Sequence, residues 1–158
     1  MGGRSGLWPY ADIAGVTLSF RPVSMQARRF RAHIAKVDGG QLAVLSTSWQ
    51  TAALMAPQDH DYRDFIIGLH HRMTKAGSRA HLAGGLPPRL YAAAIACVSL
   101  LALATAGLLV RSITTGEWAG ALFLVGFAAL FAWQVGGLIA RNRPLVYTFD
   151  NLPKALLP

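Results

Sequence analysis

Five histidines, His33, His60, His70, His71 and His81, are the first residues whose type could do chemistry, since imidazole is the commonest metal ligand and general base. A metal site needs ligands that converge from one helix face or across paired strands. His70 and His71 are neighbours and point about 100° apart on a helix. No histidine lies four residues from another, so no metal centre is expected. Asp59, Asp61 and Asp64 cluster at a helix start, where the positive end of the macrodipole already accounts for them. Ser46-Thr47-Ser48 and Thr114-Thr115 supply hydroxyls but no nucleophile elbow. Gly84-Gly85-Leu86-Pro87-Pro88 lacks the Lys-Ser/Thr of a phosphate loop, and proline donates no N–H. Cys97 stands alone, so neither an internal disulfide nor a zinc site can form. The chain reads as a non-enzyme.

What the chain does hold is apolar length. Apolar residues make up 53% of the 158 and charged residues 14%, against roughly 25% charged in an ordinary soluble domain. Residues 90–110 and 118–140 contain no charge, and each run is long enough to cross about 30 Å of hydrocarbon at 1.5 Å per residue. Two membrane spans are expected. Neither contains Asp, Glu, Lys, Arg or His, which removes the usual groups of proton relays, ion pathways and axial haem ligation. No cofactor is expected. Gln134, Ser99 and Thr105 are the notable polar groups at depth, and each can bond across a helix interface.

Orientation follows from the basic residues. Arg72, Lys75, Arg79 and Arg89 precede the first span, and Arg141, Arg143 and Lys154 follow the second. The positive-inside rule then places both termini in the cytoplasm of a bacterium and the short Arg111–Glu117 loop outside its inner membrane. The N-terminus has no apolar block of seven residues, so the first span is expected to direct insertion. The net charge of +8 suits an anionic leaflet, and no aromatic-basic motif points to nucleic acid.

The second span carries Gly120, Ala128, Ala132, Gly136 and Ala140 at four-residue spacing, interrupted by Leu124. The first span has Ala92, Ala96, Ser99, Ala102 and Ala106. Small side chains let helix backbones approach closely in lipid. These two faces are expected to meet as a hairpin, with further small residues left over for a second copy or a partner subunit.

Before the spans, the pattern is that of a small sheet and a helix. Residues 1–9 read as a frayed, Gly-rich lead-in. Val16, Leu18 and Phe20 alternate with polar or small neighbours, as do Phe30, Ala32 and Ile34. Asp38-Gly39-Gly40 is a turn, and Gln41–Thr47 is the returning strand of an antiparallel meander. Asp59 or Asp61 is expected to cap a helix whose buried stripe is Tyr62, Phe65, Ile66, Leu69 and Met73, ending near Ala76-Gly77. Residues 79–86 are a short connection to the first span or one more strand. The domain plan is therefore 1–86 as an α+β sheet-plus-helix unit, 87–141 as an all-α transmembrane hairpin, and 142–158 as an apolar, proline-containing tail that packs on the protein's own small domain, the inner membrane face or a partner.

Trp8-Pro-Tyr-Ala-Asp-Ile13, Val16–Phe20, the hairpin at Asp38-Gly39-Gly40 and the run Asp61–His70 together resemble the C-terminal half of bacterial PH-like domains found on membrane proteins. The resemblance spans residues 8–76. It implies a partial PH-like fold, with room for three or four strands before the helix. It also implies contact with anionic lipid head groups through Arg28, Arg29, Arg31, Arg72 and Lys75.

Two functions are expected from these readings. The first is a non-catalytic accessory or assembly subunit of a larger inner-membrane complex, photosynthetic or respiratory complexes among them. It would pack through Ala128, Ala132, Gly136, Ala140, Ala92, Ala96 and Ser99, and dock through Arg141, Arg143, Tyr147 and Phe149. The alternative is a PH-like lipid-binding module acting alone or as a homodimer.

Overall fold

The computed structural model describes residues 8–22, 28–49 and 55–158; the expected frayed lead-in falls mostly on residues 1–7, outside them. The chain divides into two compact units, residues 1–85 with 144–158, and residues 86–143.

The first unit is α+β. Period-two alternation produces β1 (Ile13–Phe20) and β2 (Phe30–Lys36), paired antiparallel with Val16 opposite Ile34, Leu18 opposite Ala32 and Phe20 opposite Phe30. Gly39, at φ 90°, makes the turn into β3 (Gln41–Leu45), which pairs antiparallel with β2. β4 (Thr47–Trp49) and β5 (Met55–Pro57) form a separate two-stranded sheet. α1 (Asp59–Lys75) follows. Its N-cap is Gln58 and no side chain caps it, so Asp59 and Asp61 sit within the first turn rather than at the cap. It ends in a Schellman motif: Ser78 N–H donates to the Met73 carbonyl and Gly77 N–H to that of Thr74, with Gly77 at φ 64°.

The sheet departs from the expected meander. β6 (His81–Gly84) lies beside β1 and parallel to it, with Val16 opposite Leu82. Parallel neighbours cannot be joined by a tight turn, and here the chain between β1 and β6 runs through four strands and α1. β7 (Leu145–Val146) pairs antiparallel with β6, completing the order β3-β2-β1-β6-β7. The sheet is therefore mixed and five-stranded.

The core is the layer between this sheet and α1. Val16, Leu18, Phe20, Phe30, Ala32, Ile34 and Leu82 come from the sheet, and Tyr62, Ile66, Leu69 and Met73 from the helix. Phe30 bridges the layers, its ring 5.2 Å from that of Phe20 and 6.5 Å from that of Tyr62. Phe65, expected in the stripe, is 43% exposed, and His70 takes its place inside.

The second unit is a hairpin of two helices long and apolar enough to span a membrane, α2 (Pro88–Thr114) and α3 (Trp118–Arg141). Pro88 at the first helical position needs no hydrogen-bond donor there. A second Schellman motif closes α2: Glu117 N–H donates to the Ser112 carbonyl and Gly116 N–H to that of Ile113, with Gly116 at φ 76°. The most apolar stretch of each helix has no buried residue.

β6 leads into α2, α3 leads into β7, and β6 and β7 are hydrogen-bonded neighbours. The whole helical unit is thus an insertion between two paired strands. The tail expected to be separate over 142–158 belongs from Pro144 onward to the first unit, because its apolar side chains complete that unit's core.

Candidate functional site

Three features were read from the sequence as functional: the tail, the small-residue helix faces and the basic residues. The structure gives each a definite place.

The tail closes on α1 through His70. Residues 62, 66, 69 and 73 define the buried stripe of α1, and 70 lies four after 66 and three before 73. His70 is accordingly 1% exposed. Its Nδ1 is 2.8 Å from the Ile66 carbonyl oxygen, which can only accept, so Nδ1 carries the proton. Nε2 is then the acceptor, and the Tyr147 hydroxyl donates to it at 3.1 Å. Phe149 sets its ring edge-on to the imidazole with centroids 6.1 Å apart. Burial pushes the His70 pKa below its ordinary value, opposed by the Ile66 hydrogen bond, and burial pushes the Tyr147 phenol up. Tyr62 is also buried, its hydroxyl without a partner among the described residues. Further along, Leu156 is fully buried, and a Cβ added to Gly84 would meet its Cδ1 at 2.7 Å. Tyr147 is buried in the protein's own first unit with Phe149 half-buried beside His70, so of the surfaces open to the tail it is the small domain, rather than lipid or a partner, that these two residues meet. The spacing 66–70–73 was the signal in the sequence for His70; the separation of Tyr147 from it by two spans hid the pair.

The small faces do not meet. The half-buried residues mark the seam of the hairpin: Tyr91, Ala94, Val98, Thr105, Leu109 and Ser112 on α2, and Gly120, Leu124, Phe131, Val135, Leu138 and Ile139 on α3, with Ala121 buried. Ala92, Ala96, Ser99, Ala102 and Ala106 are exposed, as are Ala128, Ala132, Gly136 and Ala140. A seam between two long helices steps by three and four residues alternately, averaging about 3.5. A strict four-residue row advances about 40° around the helix at each step, since 3.6 residues complete a turn. The row therefore starts on the seam at Gly120 and has left it by Gly136. The close approach is at the turn, where a Cβ on Gly120 would meet Ser112 Oγ at 2.9 Å. On both helices the small face is displaced from the seam in the same rotational sense. Antiparallel helices convert that shared sense into one side, so Ala92, Ala96 and Ser99 lie on the same side of the hairpin as Ala132 and Gly136. Nothing lies within 4 Å of a Cβ built on Gly136.

The basic residues are dispersed. Arg28 is exposed before β2, and Arg29 donates from Nε to the Arg21 carbonyl at 3.2 Å, beyond the end of β1. Arg72 donates to the Tyr10 hydroxyl at 3.3 Å, before the start of β1, and Lys75 is in the same last turn of α1. The eight residues of β1 separate these two groups by about 25 Å. Arg31 alternates with Phe30 and Ala32 and so lies on the sheet face away from α1. Arg141 ends α3, and Arg143 is exposed just beyond it.

Ser46, read from the sequence only as a spare hydroxyl, is fully buried and joins β2 to the β3–β4 corner. Its Oγ accepts the Phe30 N–H at 3.0 Å, and its carbonyl accepts the Gln58 N–H at 2.7 Å. Among the described residues no group of three His, Cys, Asp or Glu side chains could hold a metal ion.

No family model, no curated protein and no solved structure matches the chain.

Proposed function

We propose that the chain is a non-catalytic accessory or assembly subunit of a larger bacterial inner-membrane complex, of which energy-transducing complexes, photosynthetic or respiratory, are one class. The observation that carries this reading is the small-residue side of the hairpin. In lipid, helices associate through close backbone approach, and alanine and glycine permit it. The hairpin's own seam leaves Ala92, Ala96, Ser99, Ala128, Ala132, Gly136 and Ala140 unused. A further transmembrane helix, from a partner subunit or a second copy, is the kind of body that such a side fits.

Placement in a membrane rests on the two apolar helices, whose most apolar stretches have no buried residue. A soluble core helix of that composition would be mostly covered. Because β6 and β7 pair, both ends of the hairpin return to one domain, and Arg89, Arg141 and Arg143 at those ends favour the cytoplasmic side. The PH-like lipid-binding reading is weaker, since Arg28 and Arg29 lie at the opposite end of β1 from Arg72 and Lys75 and cannot share one head group.

The test is purification of a tagged chain in mild detergent, with mass spectrometry of stoichiometric membrane partners, beside the double variant Ala132→Leu/Gly136→Leu. The expected outcome is a high-molecular-weight peak that the variant loses while its own fold persists. A lone monomer or dimer whose vesicle binding weakens with salt would replace this reading with the lipid-binding one.

A further inference from the structure

The buried imidazole of His70 joins two segments that approach it from opposite sides of the helical insertion. In the neutral ring every hydrogen-bonding atom is satisfied: Nδ1–H by the Ile66 carbonyl, Nε2 by the Tyr147 hydroxyl. Neither bond can be exchanged for water, because the side chain is 1% exposed. A proton added at Nε2 meets the Tyr147 O–H head-on. The hydroxyl must turn round, and its hydrogen must find a new acceptor inside the core. The resulting cation has no carboxylate at hand. The sheet presents Val16, Leu18, Phe20, Phe30, Ala32, Ile34 and Leu82 to α1, and none of these titrates. The tail brings Tyr147, Phe149 and Leu156, and α1 itself brings Tyr62, so the titratable neighbours are two phenols.

The tail is the side able to yield. α1 is held along its length by four apolar side chains, whereas β7 pairs with β6 through two residues only, Ala83 opposite Val146 and Gly84 opposite Leu145. Besides these, the tail is held by the Tyr147 N–H donating to the Leu82 carbonyl at 3.2 Å, by Leu156 packed beside Gly84, and by Arg63 Nη1 donating to the Pro158 carbonyl at 3.3 Å. A short terminal segment paired through so few backbone bonds can open as a unit, below the free energy of global unfolding.

We propose that His70 is a proton-controlled latch: protonation of its imidazole releases residues 145–157 from the first unit and uncovers the edge of β6. Opening frees the imidazolium to water and exposes the backbone of Leu82, Ala83 and Gly84, a strand edge to which another extended segment could pair. The sign follows from burial. The folded-state pKa of His70 lies below the ordinary value of 6.5. The closed latch therefore has its full stability above about pH 6.5 and loses it as pH falls through the lower folded value. Within that window the open fraction rises by about tenfold per pH unit.

The experiment uses the full chain in detergent micelles. Amide exchange, corrected for the intrinsic pH dependence, is followed by mass spectrometry between about pH 7.5 and about pH 5.5, the range in which histidine charges. The 15N shifts of the His70 ring are titrated in parallel. The expected result is loss of protection in 145–157, with α1 and β1 still protected, at the same midpoint as the His70 titration. His70→Gln, which cannot charge, should hold the tail closed across the range. Unchanged tail protection overturns the proposal, as does simultaneous loss in α1, or a tail midpoint that differs from that of His70. A pH response retained in His70→Gln also overturns it. Should that variant fail to fold, the coincidence of the two midpoints in the unmodified chain decides alone.

Discussion

His70 and Tyr147 are 77 residues apart in the chain and 3.1 Å apart in space, and both apolar helices lie between them in sequence. The contact makes the soluble unit a product of two separated stretches, and several measurable consequences derive from that.

Tyr147→Phe keeps the ring but removes the hydroxyl that donates to His70 Nε2. A buried acceptor is left unsatisfied, so the first unit should lose about 1–3 kcal/mol of stability at neutral pH. Urea unfolding followed on the soluble unit of the full chain in micelles measures it. An unchanged midpoint would show that the hydroxyl is met by water.

Gly84 and Leu156 should couple. Gly84→Ala forces its Cβ to within 2.7 Å of Leu156 Cδ1 and should destabilise by about 1–3 kcal/mol. Leu156→Ala empties a fully buried site, at about 2–5 kcal/mol. In the double variant the added methyl moves into space the leucine has vacated, so the total should fall short of the sum. Strict additivity in that cycle would place the tail elsewhere.

Ser46→Ala leaves the Phe30 N–H buried without its Oγ acceptor. A loss of about 1–3 kcal/mol is expected, larger than for a surface serine. Ser48→Ala, on the adjoining β4, provides the comparison, and equal effects from the two would deny Ser46 its joining role.

In the hairpin, two glycines should behave differently. Gly120→Ala pushes Ser112 Oγ away from the Glu117 carbonyl, to which it donates at 2.7 Å, and should loosen the turn. Gly136→Leu meets open space and should leave the isolated hairpin as stable as before, while reducing assembly with partners. Thermal unfolding in micelles separates the first effect, and native gels the second. A hairpin destabilised by Gly136→Leu would mean that the seam runs through the small row.

The alternation in Val16–Phe20 and Phe30–Ile34 and the stripe 62–66–69–73 were readable because each reports a local period imposed by one buried face. The two long apolar helices were readable from the absence of charge. The errors arose where geometry depends on distant residues. A strand within 79–86 was open in the sequence, but the parallel pairing of His81–Gly84 with β1 depends on where α1 delivers it. Leu145 and Val146 lie between prolines 144 and 153, which made the tail resemble an extended docking segment rather than the sheet's last strand. The small rows were seen, but a four-residue repeat was treated as parallel to the helix axis, and its drift carries Ala132 and Gly136 out of the seam.

The insertion of α2 and α3 between paired strands also sets an order of events during synthesis. β6 emerges from the ribosome before the helices, and its partner β7 only after them. Until then the soluble unit has an unpaired edge at Leu82–Gly84 and no side chain in the place of Leu156. If α2 and α3 cross a membrane as proposed, a failure of α3 to cross back strands Tyr147 on the far side and the unit cannot close. On that reading the fold works as a topology check, in which a domain on one side of the bilayer is completed only by a chain that has crossed twice.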